Sequence, residues 1–329
     1  MTREARVRAY AKLNLGLRVL YKRPDGYHEL RTVFQTISLA DDLEISFTPG
    51  KSTRIEMEGA PEIPDNLAER AARLVMDAAE AIGKRGTVRL QLRKIIPAGA
   101  GLGGGSSDAA AVLLALPVLA RAPLAMDQLI SLAARLGSDV AFFLFGGTAL
   151  GLGRGEELYP LPDQPVKRAL LIAPAVHSST AQAYRDVSAT LSGGLTNIEL
   201  QNKLGSFQRG IWGQGAPGDK LSLINDFESV VEARHPELAG IRERLRRAGA
   251  TRVAMTGSGS AIFGIFDNPG KLERARLGWD RQAAARELDE RAFSVSFVSR
   301  ARYQGAWRRA LSQNRKGNDI WPPQCPHAR

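Results

Sequence analysis

Cysteine is nearly missing from this chain: of 329 residues only Cys325 is one. No disulfide can form within a single chain, which excludes a disulfide framework and points to a reducing compartment. The four histidines are scattered and show no zinc-ligand spacing. Long apolar runs are missing too. The N-terminal MTREARVRAYAKLNLGL lacks the apolar core of a signal peptide and runs straight into a strand pattern, so a cytoplasmic location is expected. The most apolar stretch, VAFFLFGGTALGLG (140–153), is short and broken by glycine, and it reads as a buried strand or turn rather than a membrane span. Neither HRD nor DFG occurs, which excludes a protein kinase. There is no internal repeat.

Positive charge is plentiful but uneven. The net charge of +11 would suit a nucleic-acid partner, yet Arg300–Arg329 alone carries seven Lys/Arg against one acid. That segment also holds three prolines and two tryptophans, and residues 304–329 are expected to form a poorly ordered, solvated tail rather than a nucleic-acid arm. The rest has an ordinary globular composition and length enough for two domains.

Along the chain, RVRAYAKLNLGLRVL alternates as a strand, RPDG is a turn, and residues 28–48 continue as strand. After the loop APEIPDN, LAERAARLVMDAAEAIGK has helical spacing with Gly83 near its end. TVRLQLRKIIP is a strand, SSDAAAVLLALPVLA a helix ended or kinked at Pro117, and MDQLISLAARLG a helix stopped at Gly137. Ser106 or Ser107 is a candidate cap for the Ala/Leu-rich helix, and Asp108 suits its positive end. Pro160, Pro162 and Pro165 mark a boundary, dividing the chain into 1–163, 164–303 and the 304–329 tail. The glycine-rich 193–219 stretch reads as a long loop or insertion. A helix, a hairpin around GSGS, a second helix and a strand follow, in the order of a ferredoxin-like α+β unit.

Between a strand and that Ala/Leu-rich helix stands PAGAGLGGGSSD (97–108). Glycine backbone costs entropy to order. The cost is offset if the bare N–H groups and the helix N-terminus bind a polyphosphate. Gly99 to Gly104 has the P-loop spacing, but Gly105 stands where lysine is required. Gly99, Gly101 and Gly104 satisfy GxGxxG, a weak signal, and the acid-bearing strand of a dinucleotide site does not follow.

Residues Pro97 to Ala110, PAGAGLGGGSSDAA, resemble the central motif of the GHMP kinases. AKLNL (11–15) and MTGSGSAIFG (255–264) resemble that family's first and third motifs, in the same order. DGYHEL and LGSDVAFFLFGGTALGLGRGE further resemble the branch that phosphorylates a hydroxyl of a cytidine-diphosphate-linked methylerythritol, on the non-mevalonate route to isoprenoid precursors.

The resemblance implies a two-domain α+β fold, with a ribosomal-protein-S5-domain-2-like N-terminal domain and a ferredoxin-like C-terminal domain. It implies ATP and Mg²⁺, a small-molecule substrate, and neither nucleic acid nor membrane as partner. It places the catalytic pair at Lys12 and Asp139. ATP phosphates would meet the loop of Pro97, Ala98, Gly99, Ala100, Gly101, Leu102, Gly103, Gly104, Gly105, Ser106 and Ser107. Asn66, Leu67 and Lys94 would lie at the adenine end. Substrate would meet Asn14, Tyr27, His28, Tyr184, Gly257, Ser258 and Gly259, with Tyr27 and His28 holding cytosine and Tyr184 on its other side. Tyr10 and Ala141 depart from the family, which commonly has a small residue or proline at the first and proline at the second. Another GHMP kinase, or a basic nucleic-acid-binding protein, is the rival reading.

Overall fold

The computed structural model describes residues 1–59, 65–176, 178–191, 195–212, 223–285 and 287–314. A long hairpin opens the chain: β1 (Arg3–Lys22) and β2 (His28–Pro49), closed where Arg23 N–H donates to the Tyr27 carbonyl at 2.7 Å. β1 alternates buried and exposed at its start, then runs buried from Ala9 to Leu17. Alternation ends where both faces of a strand are covered. Here helices cover one face and the C-terminal half of the chain covers the other.

β3 (Arg54–Glu58), α1 (Leu67–Glu80), β4 (Gly86–Arg93), α2 (Gly104–Ala120), α3 (Met126–Leu136), α4 (Val140–Phe145), β5 (Thr148–Leu152) and β6 (Glu157–Pro160) complete the first half. Its sheet runs β3-β4-β2-β5-β6, with β1 added on β2. The second half comprises β7 (Arg168–Pro174), α5 (Thr180–Thr190), α6 (Asn197–Trp212), α7 (Glu228–Arg234), α8 (Glu237–Arg247), β8 (Arg252–Met255), β9 (Ile262–Phe266), α9 (Pro269–Ala285), β10 (Glu290–Ser296) and α10 (Arg300–Ala310). Its antiparallel sheet runs β10-β7-β9-β8, the strand order of the ferredoxin-like unit read from the sequence.

Three apolar clusters hold these layers. One packs α1 to α4 and α10 on the first sheet. A second lies under the helices of the C-terminal half and includes Leu17, Val19 and Leu30 from the opening hairpin. A third, with Leu13, Leu15, Leu102, Leu171 and Phe263, joins the two sheets.

Five expectations are corrected. VAFFLF is the helix α4, buried from Val140 to Leu144, not a strand or turn. A segment apolar on every side has no period that separates helix from strand. α2 runs past Pro117 to Ala120 because it is buried nearly all round, and Ala122 N–H closes on the Pro117 carbonyl at 2.9 Å. Within 193–219, residues 197–212 are the helix α6. Its start carries a capping box: Glu199 N–H donates to Thr196 Oγ1 at 3.2 Å and Thr196 N–H donates back to Glu199 Oε2 at 2.8 Å.

The expected tail is ordered to Asn314. Tyr303, Trp307 and Leu311 form a buried stripe at helical spacing on a basic helix. Finally, neither Ser106 nor Ser107 caps α2. Its cap is Gly103, at φ 71°, and the Ser107 hydroxyl donates to the Tyr10 carbonyl at 2.7 Å. Residues 315–329, and most of the APEIPDN loop, lie outside the described residues.

Candidate active site

A cleft of about 1040 Å³ opens between the halves. Every residue read as a site residue lines it except Ser107 and Gly259. Ser107 is turned away to Tyr10, and Gly259 packs beside Met255.

Lys12 sits in β1 between two register shifts against β2, at Tyr10/Lys12 and Asn14/Gly16. Such bulges re-aim side chains. The Lys12 side chain is buried, with Nζ 2.5 Å from Asn14 Oδ1 and 3.5 Å from Asp139 Oδ2. Burial drives the Lys12 pKa down, and the Asp139 carboxylate opposes that shift. The Phe34 ring centroid lies 5.7 Å from Nζ. Asn14 is itself fixed: its Nδ2 donates to Thr32 Oγ1 at 2.7 Å and its backbone N–H to Thr256 Oγ1 at 3.0 Å. Asp139 stands at the start of α4 with a third of its side chain exposed to the cleft.

The glycine loop runs past Lys12, whose backbone N–H donates to the Leu102 carbonyl at 3.0 Å. At Gly103 a Cβ would lie 2.9 Å from the Phe143 ring and 3.2 Å from the Lys12 side chain, so the loop approaches this closely only without one. The turn at Gly257 and Ser258 leans on the loop: Ala261 N–H donates to the Ala100 carbonyl at 3.2 Å.

At one end of the loop, Lys94 Nζ pairs with Asp41 and, at 2.7 Å, with Asp108 Oδ2. Asp108 was read as favouring the helix end; it is instead a buried partner of Lys94. Burial, with Asp41 adding to it, pushes the Asp108 carboxyl up to about 7 against the pull of Lys94. Asn66 spends its side chain capping α1, accepting from Ala68 N–H at 2.9 Å, while still lining the cleft with Leu67.

At the other end, His28 stacks on Tyr184 with centroids 4.9 Å apart and planes at 24°. No base fits between rings that close, so in this arrangement a base meets an outer face or edge. His28 Nε2 is 2.6 Å from Ser188 Oγ, and the Ser188 hydroxyl donates to the Tyr184 carbonyl at 2.9 Å. Ser188 therefore accepts from Nε2–H, leaving Nδ1 as the acceptor of a neutral ring. Burial and Lys22 both lower the His28 pKa, which keeps the ring neutral near pH 7. Tyr27 is half exposed, and the Arg154 guanidinium stands 4.6 Å from its ring centroid.

Thr32, Thr256, Asp41, Ser188 and Arg154 belong to this site and escaped the sequence reading. Arg154, inside GLGRGE, and Thr256, inside MTGSGSAIFG, stood within stretches the motifs had already marked. No group of three or more metal-ligating side chains occurs among the described residues.

Comparison with known proteins settles the class. The models of the GHMP kinases N terminal domain and the GHMP kinases C terminal match residues 66–147 and 212–285. A 4-diphosphocytidyl-2-C-methyl-D-erythritol kinase of Solibacter usitatus is 54% identical over 325 residues, 98% of each chain. A crystal structure of 4-(cytidine 5'-diphospho)-2C-methyl-D-erythritol kinase superposes with TM-score 0.70 at 38% identity, covering 91% of this chain and all of its own. A mevalonate kinase of L. major shares the fold alone, at 15% identity and TM-score 0.66 over 91% of this chain and 97% of its own. The chain belongs to the GHMP kinases, in the family of 4-diphosphocytidyl-2-C-methyl-D-erythritol kinases.

Proposed function

We propose that this chain transfers the γ-phosphate of ATP to a hydroxyl of 4-diphosphocytidyl-2-C-methyl-D-erythritol, giving its 2-phosphate. The observation that carries the mechanism is the Lys12–Asp139 pair, standing where the glycine loop meets the cleft. Asp139 accepts the substrate hydroxyl proton as that oxygen attacks the γ-phosphorus. The bond to the β-phosphate oxygen breaks and ADP leaves. Lys12 keeps Asp139 ionised and offsets charge on the transferring phosphoryl group. Asn14 holds Lys12 in place and offers its side chain to the substrate's polar end.

The backbone N–H groups of Gly101 to Ser106 and the N-terminus of α2 receive the phosphates. Asn66, Leu67 and Lys94 border the adenine end, Lys94 by its stem, since its ammonium is paired. Tyr27 and Tyr184 offer ring faces to the pyrimidine, and His28 Nδ1 an acceptor for an exocyclic amino group such as cytosine carries. Gly257 and Ser258 border the diphosphate. Mg²⁺ would be held by phosphate oxygens and water, with the Ser106 hydroxyl as the donor the loop supplies, since Asp139 is kept for the substrate hydroxyl. When bound it would neutralise phosphate charge. The reading places the reaction in the cytoplasm and gives the basic C-terminal residues no nucleic-acid partner.

Purified protein should release ADP from ATP-Mg²⁺ only when the cytidyl substrate is present, and the product should weigh one phosphate more. Turnover of homoserine or mevalonate instead would move the chain to another branch of its class. The cytosine reading has its own check: His28→Ala should raise KM for the cytidyl substrate on the order of tenfold, the worth of one net hydrogen bond, with KM for ATP unchanged.

A further inference from the structure

Lys12 and Asp139 come from elements distant in sequence, so their 3.5 Å separation depends on how β1 and α4 are held together. α4 is only six residues long, and no side chain caps it at Asp139. Its last carbonyls need partners from outside. Gly146 N–H closes on the Phe142 carbonyl at 2.9 Å, but Gly147 N–H is drawn off to Thr36 Oγ1 at 3.0 Å. The Phe143 carbonyl therefore has no helical donor. The Tyr303 hydroxyl of α10 supplies one.

Tyr303 touches the other arm of the pair as well. Its ring lies 5.7 Å from that of Tyr10, two residues before Lys12. The Tyr10 carbonyl in turn receives Ser107 at the start of α2. A Cβ on Gly146 would clash with the Tyr303 ring. Arg300 ties the start of α10 down, donating to the Thr148 carbonyl at 2.5 Å and, through its backbone N–H, to Asp163 Oδ1 at 2.8 Å. The two departures from the family pattern, Tyr10 and Ala141, lie in the two segments Tyr303 joins.

We propose that Tyr303 is a positioning residue for phosphoryl transfer, bracing α4 against β1 and so setting the Lys12–Asp139 separation. This rests on the reading of Lys12 and Asp139 as the reacting pair. Tyr303 does not line the cleft, so its loss should leave substrate binding alone.

The experiment is steady-state kinetics and the pH profile of kcat for Tyr303→Phe in the full chain, with kcat expressed per folded molecule. The expected result is a fall in kcat on the order of tenfold, with both KM values unchanged. The basic limb of the profile should also move to lower pH. Burial pulls the Lys12 pKa down and Asp139 from α4 holds it up, while Asn14 from β1 and the Phe34 ring from β2 are neutral. A looser pair weakens only the Asp139 effect. Tyr10→Leu loosens the same brace from the β1 side, and should give the same split if Tyr303→Phe does not fold. Leu311→Ala is the packing control: it should lower the melting midpoint of the same helix and keep kcat.

Wild-type kcat and an unmoved basic limb in Tyr303→Phe would overturn the proposal, as would a loss matched by Leu311→Ala. Asp139→Asn separates the two readings. If Asp139→Asn is inactive and Tyr303→Phe is normal, the brace alone fails. If Asp139→Asn keeps its activity, the reacting pair fails and takes the brace with it.

Discussion

Lys12 and Lys94 each face an aspartate in the first turns of a helix, and the two pairs are built in opposite ways. Asp139 holds Lys12 at 3.5 Å and keeps a third of its side chain open to the cleft. Lys94 is closed between two buried carboxylates, Asp41 and Asp108. Asp41 is further occupied by the backbone N–H groups of Ile95, at 2.5 Å, and Ile96, at 2.8 Å. The closed cluster ties the chain entering the glycine loop to β2 on one side and α2 on the other. The open pair leaves a carboxylate oxygen for a reactant. An ion pair that turns over must give up some stability to keep an oxygen free, whereas one that anchors a loop spends all its bonds inside the protein.

The contrast breaks most visibly at Asp139. Asp139→Asn should lower kcat by about 10²–10⁴, the range for removing a general base, with the melting midpoint within a degree or two of wild type. A mutant that loses stability instead would make Asp139 an anchor like Asp41. Lys94→Met is the converse. It leaves two carboxylates buried without their cation, and denaturant unfolding should show a loss of about 3–5 kcal/mol. An unchanged midpoint there would mean that the cluster is not closed.

The smallest effect sharpens the picture rather than breaking it. The Asp108 carboxyl takes up its proton near pH 7 in the folded chain, well above its unfolded value. Its contribution to stability is complete below the unfolded pKa and is lost as pH rises through about 7. Between those limits wild type should lose up to about 1.4 kcal/mol per pH unit from this group. Asp108→Asn should flatten that slope in unfolding curves measured across the range.

The sequence offered its candidate reacting groups through motifs: glycines before a helix and, by resemblance to the family alone, a lysine in AKLNL and an aspartate in LGSD. It concealed their supports. Thr32 and Asp41 are common residues in strand surroundings, and they become specific only when tertiary packing aims them at Asn14 or Lys94. The ferredoxin-like order was legible because its helices and strands are amphipathic. α4 was not, because burial on every side erases the period that separates helix from strand. α6 was missed although its Thr196 and Glu199 capping box stood in plain view; its glycine-rich surroundings outweighed it. α10 was hidden by its charge: four arginines mask a stripe of Tyr303, Trp307 and Leu311.

The opening hairpin serves both halves of the molecule. Its base belongs to the first sheet, while Leu17, Val19 and Leu30 at its far end enter the core of the second half. Leu17 exchanges backbone hydrogen bonds with the 224–226 segment, at 2.7 Å to Ile224 and 3.0 Å from Asp226. α10 crosses back in the other direction, from the end of the described chain into the first core. The proline-rich connection at 161–167 is therefore not a hinge. A protease that cut there would sever the backbone and leave two fragments clasped, which should travel together through gel filtration until a denaturant pulls them apart.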